Sequence, residues 1–339
     1  MKLSYIFPTV LVLLLTACSS IVKVHENEHR PAMAEQMDAA YTPVTIENIN
    51  EKGEPVSQVY EQPPQRVVAV WQNSIETLLA LGVGDRIVVG MGVPNAKYIR
   101  PEYRAAYEAI PYTSLENLDV ETILMMQPDL IVGWSSTFSP KVLRGTDFWA
   151  GRGVHTYIAP SSSRATAQKT IAQEIADIEN MGRIFGREER AAALVGEMQD
   201  EIAYVAGRTA HMEKRPRALV IELMGKEIRS YGAHTLAGDM MRALGAEHLA
   251  ADGQSLSMEE IIALDPDAIF LVVIEDDYGN EDAILARLYE NPALRSLSCV
   301  QQHRIYTVPL YAVYSAGIRA YDGITIFAHG LYPEIYDTP

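Results

Sequence analysis

The chain has 339 residues, 48% of them hydrophobic, and its 28 Lys and Arg against 44 Asp and Glu give a formal net charge of −16. Single cores stop growing near ~250–300 residues, so this length predicts two globular domains rather than one. The acidic balance argues against binding nucleic acid or an anionic bilayer through net charge, and it fits a soluble body facing a basic protein partner.

In chain order, Lys2, the apolar run from Ile6 to Leu15 and "LTACSS" have the parts of an export signal over residues 1–17. A run of that length is too short to span a membrane. "LTAC" resembles the lipobox of bacterial lipoproteins, in which the chain is cut before Cys and that Cys is acylated. Cys18 would then start the mature chain, and its lipid would tether an otherwise soluble body to a membrane. Removing residues 1–17 takes away Lys2 and no acid, so the charge becomes 27 − 44 = −17. Cys299 is then the single remaining cysteine, which excludes an intramolecular disulfide and suits a small buried apolar residue.

Residues 18–42 read as the lipidated N-terminus and a polar spacer. "TPVTIENINEKGEPVSQVY" predicts a hairpin around "EKGE". Then come a strand "RVVAV", a helix "SIETLLALG", a short helix "LDVETILMMQ" and strands "DLIVGW" and "GVHTYIAP". After residue 216 the order returns: strand "RALVIEL", helix "LAGDMMRALG", helix "SMEEIIALD", strand "AIFLVV" and strand "RIYTVP". Strands alternating with helices predict parallel sheets, so the fold class is α/β with two Rossmann-like lobes. The expected lobes are 43–162 and 188–339.

Between them, apolar residues at 171, 175, 178, 181 and 185 behind a cap at Ser163 predict one linking helix over 163–187, about six turns long. A second amphipathic run carries Leu194, Met198, Ile202 and Val205 on one face and is expected to pack on the second lobe. Lobes joined by a single helix would rock slightly rather than hinge widely.

"ETILMMQPDLIVGW" from Glu121 and "EEIIALDPDAIFLV" from Glu259 are nearly the same phrase, 259 − 121 = 138 residues apart. Asp119 and Ser257 can each cap a helix, and "SMEE" is a capping-box pattern. Glu121 and Glu259 then occupy the second helical position of equivalent helices. An acid there stabilises the helix dipole by roughly 0.3–1 kcal/mol. A duplicated pair also suits docking on a two-fold partner carrying two basic pockets.

The segments "PPQRVVAVWQNSIETLLALGVGDRIVVG", "NLDVETILMMQPDLIVG", "SMEEIIALDPDAIFLV" and "IRAYDGITIFAHGLYPE", behind the lipobox, resemble one family in order and spacing. They are similar to the substrate-binding lipoproteins of ABC importers for iron–siderophores, heme and cobalamin. The resemblance implies two α/β lobes joined by a single helix, a ligand in the cleft between them, and no enzymatic activity or resident cofactor. It implies salt bridges from Glu121 and Glu259 to arginines on two permease subunits. The chain would be an exported monomer, held to the membrane by its lipid alone, its body outside the cell membrane.

Ligands of parallel sheets sit beyond the carboxyl ends of the strands. Those ends here are "WQNS", "MGVPNAKY", "WSSTF", "MGKEIRSYGAHT", "EDDYGN" and "LYAVYSAGIR". Trp71, Tyr98, Trp134, Tyr231, Tyr278, Tyr311 and Tyr314 would offer flat walls, and Lys97, Lys226, Arg229 and Arg319 would offer charge to an anionic ligand. "YGAHTLAGD" resembles the loop from which some ferric-catecholate and heme binders of the family present a His, while a Tyr near the last strand completes the coordination. His234 with Tyr311 or Tyr314 would fill those roles, since phenolate and imidazole suit Fe(III). Alternatively, His234 caps the following helix or faces water.

The expected ligand is therefore a chelated iron complex, an Fe(III)–siderophore first, heme second and a corrinoid third. A hydrolase or dinucleotide enzyme would need a G-x-S-x-G elbow or a Gly-x-Gly-x-x-Gly turn, and the chain has neither. A receptor for bare Zn(II) or Mn(II) would need several His and carboxylates after the strands, where the first lobe places Trp, Asn and Met.

Overall fold

A computed structural model describes residues 41–225, 227–250, 253–274 and 277–336. The export signal, Cys18, most of the spacer and Lys226 lie outside these residues. From residue 41 onward the chain forms one compact unit. Among the described residues, no helix is long and apolar enough to cross a membrane.

The expected hairpin is β1 (Val44–Ile49) paired antiparallel with β2 (Pro55–Tyr60). The first lobe then builds β3 (Val67–Val70), β4 (Ile87–Met91), β5 (Thr113–Ser114), β6 (Leu130–Gly133) and β7 (His155–Ile158). All run parallel, in the order β5-β4-β3-β6-β7. Every residue of β3 and β6 is buried, as parallel strands covered on both faces require.

The second lobe holds β8 (Arg217–Met224), β9 (Glu227–Ser230), β10 (Glu247–His248), β11 (Ser255–Leu256), β12 (Ala268–Val273) and β13 (Ile305–Pro309). Its order is β11-β9-β8-β12-β13, with β10 also beside β8. Here the sheet departs from the all-parallel expectation, because β9 runs antiparallel to β8 and β11 antiparallel to β9. Part of "MGKEIRSYGAHT" is therefore strand rather than loop. Gly225, at φ 66°, takes the left-handed backbone of a tight reversal, and Met224 pairs with Glu227 across it.

The linking helix runs only over Ile171–Phe185, about four turns, and its cap is Thr170 rather than Ser163. The Thr170 hydroxyl accepts from the Gln173 amide, and the Gln173 side chain accepts from the Thr170 amide, closing a capping box. Upstream, the Ser163 hydroxyl accepts from the Ala165 amide and the Thr166 hydroxyl donates to the Pro160 carbonyl. These local bonds compete with helix and hold the segment in turns. Gly186, at φ 62°, ends the helix, and Glu188–Thr209 follows with Leu194, Met198 and Val205 buried. Cys299 is free and buried, and burial pushes its thiol up to about 11.

One hydrophobic core serves both lobes. Val67, Ala69, Leu130 and Val132 of the first sheet share it with Ala218, Val220, Phe270 and Val308 of the second. Ile178 and Met181 of the linking helix and Ile324 and Phe327 of the helix Ala320–Leu331 fill the space between. The opposite sheet faces close over separate cores, around Trp149 in the first lobe and Leu219 and Leu271 in the second. Pulling the lobes apart would expose the shared core to water, which opposes wide hinging.

Two carboxyls of the linking helix are buried in this junction: Glu174 is 1% exposed and Asp177 6%. Glu174 accepts the Gly317 amide of the second lobe at 2.7 Å. Burial, with the Glu174 charge adding to it, pushes Asp177 up to about 7. Between about pH 4 and 7 the unfolded chain gives up a proton that the folded chain keeps, so this group lowers stability as pH rises through that window. Asp177→Asn should abolish that loss. Urea unfolding at pH 4.5 and pH 7.5 should show the variant gaining about 3 kcal/mol over the wild type on the alkaline side.

Candidate functional site

In the first sheet the strand order reverses between β3 and β6, and Trp71 and Trp134 follow these strands directly. A crevice beyond the carboxyl ends is expected at such a point. The two indoles stack there, centroids 4.7 Å apart at 22°. Trp71 has φ 74°, a strained conformation for a bulky residue, so its setting must be over-determined by its surroundings. Its amide donates to the Met91 carbonyl at 2.8 Å and its indole N–H to Thr137 Oγ1 at 3.2 Å. Gly92 leaves room for the ring, since a Cβ there would lie 2.8 Å from Trp71 Cε3. Trp134 is fixed by its indole N–H, which donates to Asn73 Oδ1 at 2.9 Å.

The second lobe completes this wall. Tyr314, 39% exposed, meets Trp134 edge-on at 5.4 Å. Its neighbour Ser315, at φ 43°, accepts a hydrogen bond from Ser161 at 3.1 Å. Tyr231 is buried and donates to Glu222 Oε2 at 2.7 Å. Burial and that bond raise its pKa and keep the phenol protonated, while Arg229 and Tyr314 lie close enough to act on it electrostatically. Arg229 itself is exposed on β9, opposite Glu222 and Ser255.

A second aromatic group crosses the junction on Tyr98, Tyr278 and Tyr311. Tyr98 and Tyr278 lie 5.0 Å apart, and Tyr278 meets Tyr311 edge-on at 5.6 Å. These rings line a cavity of about 410 Å³, together with Lys97, Arg100, Arg104 and Arg319.

Arg319 is held from several sides. Its guanidinium lies 4.2 Å over the Tyr311 ring, donates to the Tyr98 carbonyl at 3.2 Å, and pairs with Glu76 at 3.2 Å and Asp322 at 2.7 Å. Arg100 pairs with the other Asp322 oxygen. Glu76 is fully buried; its Oε1 accepts the Arg100 amide and its Oε2 the Gln72 side chain, both at 2.8 Å. Burial raises the Glu76 pKa and the Arg319 charge opposes it. Every polar neighbour is a donor, which favours the carboxylate.

Glu76, Arg100 and Asp322 escaped the sequence reading. An acid inside the otherwise apolar run "SIETLLALG", and an Asp three residues after Arg319, were the available signals.

His234 is exposed, just before the helix Leu236–Ala243, and the cap of that helix is Thr235. The His234 carbonyl accepts the Lys169 amide at 2.9 Å. Among the described residues, no group of three or more His, Cys, Asp or Glu could hold a metal ion. Glu121 and Glu259 are both exposed at the second position of their helices, behind Asp119 and Ser257, which accept from the Thr122 and Glu260 amides.

Residues 67–312 match the family described as periplasmic binding protein, and the chain belongs to that family, one of transport binding proteins rather than enzymes. A solved periplasmic binding protein from Veillonella parvula is 47% identical, with a TM-score of 0.83, over 87% of this chain and 93% of that one. The uncharacterized ABC transporter substrate-binding lipoprotein YvrC of Bacillus subtilis is 24% identical over 87% of each chain. The iron-uptake system-binding protein of the same organism is 27% identical over 56% of this chain and 57% of its own length.

Removing the Arg319 charge should leave the fully buried Glu76 without its ion-pair partner, while half-buried Asp322 keeps Arg100. Arg319→Met is expected to cost about 3–5 kcal/mol in urea unfolding at pH 7, and the double variant Glu76→Leu/Arg319→Met should recover much of that.

Proposed function

We propose that the protein is the ligand-binding component of an ABC importer and that its cargo is a chelated iron complex, an Fe(III)–siderophore. The observation that carries this reading is the junction itself: two aromatic groups and cationic side chains meet beyond the carboxyl ends of both sheets, beside a cavity of about 410 Å³. A cavity with aromatic walls and charged side chains among them suits an organic-clad ligand with polar edges. The relative named for iron uptake supports the same direction.

Export and acylation at Cys18 would hold the body outside the cell membrane as a monomer. No resident cofactor is required, because the iron complex is cargo. His234 and Tyr314 are the proposed contacts to iron should the protein coordinate it directly.

Two of the three tryptophans, Trp71 and Trp134, stand at the site, and the third, Trp149, is fully buried in the first-lobe core on which Trp71 packs. Residues 19–339 titrated with ferric siderophores should show saturable quenching of tryptophan fluorescence, weakened in Trp134→Phe and kept in Trp149→Phe. Quenching by hemin or cobalamin alone would replace the iron–siderophore reading with a heme or corrinoid one.

Docking on the permease is proposed through Glu121 and Glu259, matched points on the two lobes carrying charge for two basic pockets. Changing both to Ala should cut uptake in reconstituted vesicles by about tenfold or more while ligand affinity stays within about twofold, as expected for exposed charges that steer association. Unchanged uptake would remove the docking claim.

A further inference from the structure

The cavity beside Tyr98 and Tyr311 looks cationic in sequence, yet its inner charges cancel. Arg100 and Arg319 are its two buried cations, with side chains 11% and 8% exposed. Both are held by Glu76 and Asp322 in an alternating chain of ion pairs, Glu76–Arg319–Asp322–Arg100. Two guanidinia and two carboxylates sum to zero. A ligand anion drawing Arg319 away would strand the fully buried Glu76, a larger penalty than the new contact would offset, and Arg100 is already neutralised by Asp322.

Among the described lining residues, the remaining charges stand at the lip. Lys97 and Arg104 are exposed, and Glu281 faces them. Arg104 is engaged with the Ile99 and Lys97 carbonyls, both at 3.0 Å, and Lys97 lies 4.8 Å over the Tyr98 ring. One net positive charge in solvent is largely screened. At longer range the chain's net charge of −16 repels anions. What faces the cavity interior is the phenol rings of Tyr98, Tyr278 and Tyr311.

We infer that this site selects a ferric chelate with no net charge, of the Fe(III) trihydroxamate kind, over a multiply anionic one such as an Fe(III) tris-catecholate. In the first, three hydroxamate anions neutralise the metal and leave an apolar, carbonyl-edged surface to rest on the tyrosines. In the second, three catecholate dianions leave a trianion, which the neutral interior cannot compensate. The inference rests on the iron-chelate reading above and deepens it. Arg100 and Arg319 become positioning residues: they hold Tyr98 and Tyr311 in place across the junction and do not read ligand charge.

The test is a fluorescence titration at low and moderate salt of the wild type, Asp322→Asn and Glu76→Gln. Ferrichrome serves as the neutral ferric probe, ferric enterobactin as the trianionic one and cyanocobalamin as a neutral probe without iron. The wild type should bind ferrichrome at least about tenfold more tightly than ferric enterobactin. Each variant removes one negative charge from the ion chain, one contributed by each lobe, and should shift that ratio about tenfold toward the anion.

Tighter binding of ferric enterobactin by the wild type, or an unmoved ratio in both variants, overturns the inference and leaves the iron reading intact. Binding of cyanocobalamin alone supports an uncharged ligand and overturns the iron reading. Failure of all three probes to bind overturns both.

Discussion

Arg319 leaves water because the Glu76 carboxylate is buried with it and half-buried Asp322 pairs with it from the other side. Its guanidinium sits where the two lobes meet, between Glu76 of the first lobe and Asp322 of the second, over the ring of Tyr311 and against the carbonyl of Tyr98. Buried ion pairs add little net stability, but breaking one is costly, so such pairs fix an arrangement more than they strengthen it. Here the arrangement fixed is the relation of the lobes, and with it the spacing of the rings that line the cavity.

The shared apolar core makes the same demand in a non-directional way. It holds the sheets near each other but would tolerate sliding, since hydrophobic burial has no preferred geometry. Directional bonds supply the register: Ser161 to Ser315, the Gly317 amide to Glu174, and the ion chain around Arg319. Gly317, at φ 54°, can lie this close to the first lobe because it has no Cβ; one there would come 2.6 Å from Thr77 Oγ1. A junction built this way suits a receptor whose cleft is formed before the ligand arrives, with less ordering left for the ligand to drive.

Two of the six non-glycine residues at positive φ among the described residues stand at the same place. Trp71 and Ser315 are non-glycine residues at positive φ on opposite sides of the aromatic wall. Each costs of order 1–3 kcal/mol and persists where neighbouring contacts over-determine it. In contrast, Glu121 and Glu259 stand in the first turns of helices with side-chain N-caps, well away from the positive-φ residues Gln127 and Asp265 at the other ends. The proposed ligand site is built by packing across the junction, whereas the proposed docking points are built by local helix signals repeated once in each lobe.

That division also separates what could be read from residues alone from what could not. The hairpin, the alternation of strand and helix, the duplication, and the placement of Glu121 and Glu259 at the second helical position all follow from periodicity and capping within a few residues. Short-range order failed where two local solutions competed: Ser163 could cap a helix, but side-chain bonds in residues 163–169 made turns and left the cap to Thr170. It failed again at β9, where a single Gly225 turned an expected loop into a hairpin. The aromatic residues of the cleft were recognisable as a set, but not which ring would meet which. Least visible was the state of Arg319. A guanidinium's availability depends on which acids lie within a few ångströms of it, and Glu76 reaches it from far away in the chain, through the packing of one lobe on the other.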